Sequence, residues 1–172
     1  MIQDWSSVFV MEALHRPGQT ADETVIPAKR LAVDSLAPAA TKALNALDAA
    51  VRRSTIDAGL LELVRLRASQ INGCAYCVDM HSRDALAAGQ TERRLLTLAT
   101  WRETPLFTQR ERAALELTEA MTRLADRPIS DKVFDAAAAH FPDAELAQLI
   151  WTVAVINTWN RLGAVARPWS LV

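Results

Sequence analysis

No run of roughly 18 uninterrupted apolar residues occurs in the chain, so no helix that crosses a bilayer is expected. The opening Met1-Ile2-Gln3-Asp4-Trp5 lacks the basic start and apolar stretch of a secretion signal, which points to the cytoplasm. No segment alternates apolar and polar residues as a half-buried strand does, and no repeat recurs at a period of about 20 to 50 residues, which argues against sheets and solenoids. Low complexity is confined to the alanine run at 136–139, which favours helix. Neither sign of charge dominates: the formal net charge is −1, and no cluster of Lys and Arg is interleaved with aromatics. Such a chain has no field to gather phosphates, so nucleic acid is not an expected partner. Cysteine is scarce too, with two residues in the chain. A pair that close in a reducing compartment more often means metal binding or redox chemistry than a structural bridge.

What is present fits a folded protein. The chain has 172 residues, of which 51% are hydrophobic and 23% charged, enough to bury one core and stay soluble. A single domain over 1–172 is expected, with an irregular N-terminal arm at 1–35, punctuated by Pro17-Gly18 and Pro27, and a helical core at 36–165. The apolar content, five Trp included, exceeds what such a core needs, so part of it should be buried between copies of the chain.

From Pro38 the apolar spacing is helical, with Leu44, Leu47 and Val51 on one face and an end near Arg53. Asp57 is placed to cap a second helix whose stripe is Leu60, Leu61, Val64 and Ala68, stopped by Asn72-Gly73. A third helix starts at Cys74 or Ala75 and ends at Gly89. A shorter one is expected over 91–101. Thr108-Gln109-Arg110-Glu111 spells a capping box for a helix through Ala114, Leu115, Leu117 and Met121, broken at 126–128. Ser130 should cap a helix to about His140, and Asp143 a last long one carrying Leu146, Leu149, Ile150, Val153 and Ile156 to Gly163. The fold class is all-α, a compact multi-helix bundle.

The chemistry concentrates at Cys74-Ala75-Tyr76-Cys77. A three-residue separation at a helix start puts the two Cα atoms about 5 Å apart, within disulfide reach. The free N–H groups and positive dipole end there favour thiolate. His81 follows Cys77 by four residues and Cys74 by seven, so the three side chains share one face, and the imidazole is positioned to take and return a thiol proton. Glu62, on the preceding helix, reaches this face only if the chain reverses at Asn72-Gly73; a carboxylate there would fix the His81 tautomer. The dipole favours Cys74 as the attacking sulfur, and the His81 spacing favours Cys77.

Glu62, Cys74-Ala75-Tyr76-Cys77 and His81 together resemble the Glu…Cys-x-x-Cys-x-x-x-His signature of the AhpD-like alkylhydroperoxidases, in the carboxymuconolactone decarboxylase superfamily. The flanking residues 67–73 and 78–81, and Asn157-Thr158-Trp159-Asn160-Arg161, resemble the family as well, so most of 40–165 is covered. The resemblance implies an AhpD-like bundle and a thiol-dependent peroxidase without cofactor or metal. It implies Cys77 as the peroxidatic thiol, Cys74 as the resolving one, and His81 with Glu62 as a proton relay. It further implies an alkyl or hydrogen peroxide substrate, an external dithiol reductant of lipoyl or thioredoxin-like type, and a homotrimer or hexamer. Where the best-characterised members carry a second His between the cysteines this chain has Tyr76, implying a shorter relay.

Other readings compete. The cysteines could be two small buried hydrophobes, or with His81 they could give three zinc ligands, one short of a closed site. Glu62 could be a solvated charge paired with Arg65 or Arg67. Asn157 and Asn160 interrupt an apolar stripe and need partners across helices or subunits. Two other functions remain open: a cofactor-free decarboxylase, a branch that generally lacks the dithiol, and a non-catalytic redox sensor.

Overall fold

The structure, a computed structural model, describes residues 28–168. Most of the expected N-terminal arm lies outside the described residues. Eight α-helices and one 3₁₀ segment make up the described fold, and no strand occurs among these residues. The all-α expectation is met.

A short helix α1 (Val33–Leu36) leads into α2 (Pro38–Val51), which carries proline in its first turn, where the missing N–H costs nothing. In α2 Val51 is buried, Leu44 is half-buried and Leu47 is 38% exposed. In α3 (Ala58–Asn72) the Asp57 side chain accepts the Leu60 N–H at 2.9 Å, a cap of the kind that stabilises by about 1 kcal/mol. All residues from 59 to 69 are buried, charged ones included, because α3 lies at the centre with α4, α6, α8 and the 3₁₀ segment packed around it.

Gly73 ends α3 at φ +66°, and the Gly73 and Cys74 N–H groups turn back onto the Gln70 and Ser69 carbonyls. The chain reverses there into α4 (Ala75–Ala87), with Cys74 at the N-cap. Gly59 faces the far end of α4 closely: an added Cβ would meet Gln90 Nε2 at 2.5 Å and the Ala88 carbonyl at 3.3 Å.

Residues 91–101 do not form one helix. α5 (Glu92–Leu96) stops at Thr97, whose hydroxyl bonds back to the Arg93 carbonyl at 2.8 Å, and the chain continues as the 3₁₀ segment Leu98–Glu103, non-helical at Thr100. The capping box of α6 (Gln109–Thr122) forms as read, with Thr108 and Glu111 bonded reciprocally. Ser130 does stand at the N-cap of α7 (Asp131–Ala138), but its side chain makes no capping bond. For α8 (Asp143–Ala166) the N-cap is Pro142 and not Asp143, which lies in the first turn where its charge still suits the dipole; the helix runs three residues past Gly163.

Two apolar clusters flank α3. One joins Leu60, Leu61 and Val64 to Leu117, Phe141, Leu149 and Val153; the other joins Leu63 and Leu66 to Leu98, Trp101, Phe107 and Leu115. Trp151 is 53% exposed in the single chain. No described helix is long and apolar enough to cross a membrane.

Candidate functional site

The reversal at Gly73 lays α4 back along α3. Cys74 and Cys77 are joined in a disulfide with their Cα atoms 5.3 Å apart, as the spacing at a helix start requires. Cys74 Sγ also accepts the Cys77 N–H at 3.4 Å, so the N-cap position gives this sulfur an orphan helix donor. Both cysteines are 2% exposed, yet they are not equivalent. Cys77 lines a cavity of about 320 Å³ together with His81, Tyr76, Met80, Ile156 and Trp159, and Cys74 is not on its wall. Cys77 is thus the sulfur that borders this cavity.

The Glu62 carboxylate meets this face. Its Oε2 lies 2.7 Å from His81 Nδ1, and its Oε1 accepts from Arg65 Nη1 at 2.5 Å, with Arg52 Nη1 at 3.7 Å. Glu62 and His81 are 6% and 1% exposed, so the solvated-charge reading of Glu62 is corrected. Burial alone would raise its pKa; the hydrogen bond from His81 and the adjoining Arg65 charge outweigh that and hold the carboxyl below its usual range. A carboxylate bonded to Nδ1 fixes the ring and leaves Nε2 as the nitrogen available to the cavity.

The structure thus brings all four sequence-derived site residues together. Glu62, His81 and Asp84 also bring one ligand atom each within 4.8 Å of one another, a set that could grip a small cation, with Asp84 exposed and Glu62 already bonded to His81 and Arg65.

Several supporting residues went unread in the sequence. Asn72, the last residue of α3, donates to Asn157 Oδ1 at 3.0 Å and Asn160 Oδ1 at 2.9 Å, pinning the turn before Cys74 to α8. Asn160 in turn donates to Ser69 Oγ at 3.0 Å, and Asn157 to Thr122 Oγ1 at 3.1 Å. The two asparagines were legible as needing partners; Asn72, polar at a helix end, carried no such signal. Arg65 was visible at i,i+3 from Glu62, a spacing that surface pairs share.

The chain has relatives among known proteins. A model described as the carboxymuconolactone decarboxylase family matches residues 38–120. The uncharacterized protein YdfG of Bacillus subtilis is 33% identical over 134 residues, spanning 78% of this chain and 91% of that one. A crystal structure of a protein of unknown function from Agrobacterium tumefaciens, a candidate antioxidant defence protein AhpD, is 36% identical, covers 84% of this chain and 99% of its own, and superposes with a TM-score of 0.81. The alkylhydroperoxidase AhpD core of an uncharacterized peroxidase-related protein from Ralstonia eutropha shares the fold at 18% identity and a TM-score of 0.70, covering 80% of this chain and 74% of its own.

Proposed function

The chain belongs to the AhpD-like carboxymuconolactone decarboxylase superfamily, and from that premise we propose that it is a thiol-dependent peroxidase cycling the Cys74–Cys77 pair between dithiol and disulfide. One observation carries the reading: a vicinal cysteine pair in which Cys77 shares a cavity with His81, whose Nδ1 is held by a buried carboxylate.

The Cys77 thiolate attacks the terminal oxygen of ROOH, the O–O bond breaks, and the sulfur becomes a sulfenic acid. The leaving alkoxide takes a proton from His81 to depart as ROH, and Glu62 stabilises the imidazolium beforehand. A proton delivered in this way contributes on the order of 10²–10⁴ in rate. The Cys74 thiol then attacks the Cys77 sulfur, releasing water and forming the disulfide. An external dithiol of lipoyl or thioredoxin-like type reduces that bond by exchange and is itself oxidised to a disulfide. The N-cap bond supports Cys74 as the sulfur held at the helix start, and the bordering cavity supports Cys77 as the one that meets peroxide. Self-association to a homotrimer or hexamer belongs to the same reading, supported by Trp151, Val165 and Leu36 at 53%, 70% and 69% exposure in one chain.

Steady-state consumption of an alkyl hydroperoxide with reduced lipoamide as electron donor tests the proposal. Turnover that needs both peroxide and dithiol is expected. Disulfide formation without catalytic peroxide loss would turn the assignment to a redox sensor, and sedimentation at 18.9 kDa would remove the oligomer.

A further inference from the structure

Arg65 is 4% exposed and divides its guanidinium between two tasks. Nη1 is committed to Glu62 Oε1 at 2.5 Å, while Nη2 is buried without a hydrogen-bond partner. Arg65 also lines the cavity that holds Cys77 and His81. An unmade charged donor on a residue that borders an open volume is a position for an acceptor supplied by a ligand. Two other buried polar atoms among the described residues lack partners, Arg94 Nε and Gln148 Oε1, and neither residue lines this cavity.

We propose that Arg65 anchors a carboxylate and that the substrate of the peroxidase proposed above, on which this inference rests, is a short organic acid carrying the hydroperoxide at its other end. A guanidinium offers planar, always-charged N–H groups that suit carboxylate oxygens, and its pairing with Glu62 uses only one arm. The rest of the wall suits a carbon chain: it carries the apolar Met80 and Ile156 and the aromatic rings of Tyr76 and Trp159. About 320 Å³ is far more than hydrogen peroxide fills and lies at the lower end of small-molecule pockets. Arg65 and His81 flank the same Glu62 carboxylate, so a short molecule spans from the anchor to the reacting end.

The other charges on the wall leave this anchor open. Asp48 is paired with Arg52 at 2.7 Å, and Asp34 is exposed, where solvent screens it.

Calorimetric titration of the oxidised full chain with hexanoate and with hexan-1-ol reads the anchor without catalysis. The wild type should bind the acid at least ten-fold more tightly, Arg65→Met should bind the two alike, and Arg65→Lys, which keeps a charge beside Glu62 but lacks the second planar arm, should lose at least three-fold of the preference. Equal binding of acid and alcohol by the wild type, or an undiminished preference in Arg65→Lys, overturns the proposal even if Arg65→Met does not fold. A kinetic arm compares 6-hydroperoxyhexanoate with its methyl ester. The acid should have the higher kcat/KM by at least ten-fold, through KM. Consumption of both at equal kcat/KM defeats the anchor and leaves the peroxidase standing; hexanoate bound through Arg65 with neither hydroperoxide consumed defeats the peroxidase and leaves the anchor.

Discussion

Two buried glutamates, Glu62 and Glu119, meet arginines from the same helix, yet they are built for different ends. Glu119 on α6 is saturated: Oε1 accepts from Arg67 Nε at 2.7 Å and Trp101 Nε1 at 2.9 Å, and Oε2 from Arg102 Nη1 at 2.7 Å. Arg102 also lies over the Trp101 ring at 4.1 Å, so the cluster ties α3, α6 and the 3₁₀ segment together. Burial would raise the Glu119 pKa, and the bonds from Arg102, Trp101 and Arg67 overcome that and lower it. Glu62 has the same lowered carboxyl, but one of its partners is an imidazole beside a disulfide and a cavity, and the other keeps an unspent N–H. A saturated buried carboxylate locks helices together. One whose partners stay unsaturated and face a cavity can serve chemistry.

The largest effect that would sharpen this contrast is expected at the sulfur end. Cys77→Ser should abolish peroxide consumption with little change in melting temperature, while Cys74→Ser permits one oxidation before the protein stalls; equal activity in both variants would merge the two sulfurs' roles. Next come the isosteric pair Glu62→Gln and Glu119→Gln. Each should cost stability of about 1–3 kcal/mol, since a buried charged donor is left short of its acceptor. Only Glu62→Gln should lower peroxide turnover per folded molecule, by a factor on the order of 10²–10⁴, and equal turnover losses would break the comparison.

Truncation asks for the strength of the lock itself: Glu119→Ala, which strands Arg67 in the interior, should cost about 3–5 kcal/mol by urea denaturation. The acid dependence has a definite sign. Because the folded Glu119 carboxyl titrates below 4.5, its contribution is fully present above that pH and is lost as pH falls through the lower folded value. Glu119→Gln should therefore flatten the stability-against-pH curve below about 4.5, and a curve as steep as the wild type's would contradict the assignment. The smallest effect is at the turn. Gly73→Ala must hold a Cβ at φ +66°, costing about 1–2 kcal/mol, and the loss should be matched by a shift in the disulfide's reduction midpoint that no substitution at Glu119 produces.

The contrast also shows what the amino-acid order reveals. Spacing along one helix is local, so Cys74, Cys77 and His81 could be placed on a common face, and Asn72-Gly73 named the reversal that brings Glu62 to them. The Asp57 cap and the Thr108–Glu111 box were legible because each closes within a single turn. The helix expected across 91–101 instead ends at Thr97 and gives way to the 3₁₀ segment, which is non-helical at Thr100. What stayed hidden needed long-range partners. Arg67 and Glu119 are 52 residues apart, and Asn72 and Asn160 are 88 apart. Arg65 looked like any helix-surface ion pair until α3 proved to be enclosed on every side.

In the proposed cycle one peroxide is reduced at the expense of the two thiols of one chain. Reduced, desalted protein should be mixed with a single equivalent of alkyl hydroperoxide and its free thiols counted against the alcohol formed. Two thiols should be lost for each alcohol released, with Cys74 and Cys77 recovered in one intrachain disulfide. Alcohol formed with both thiols intact, or thiols lost without alcohol, would contradict it.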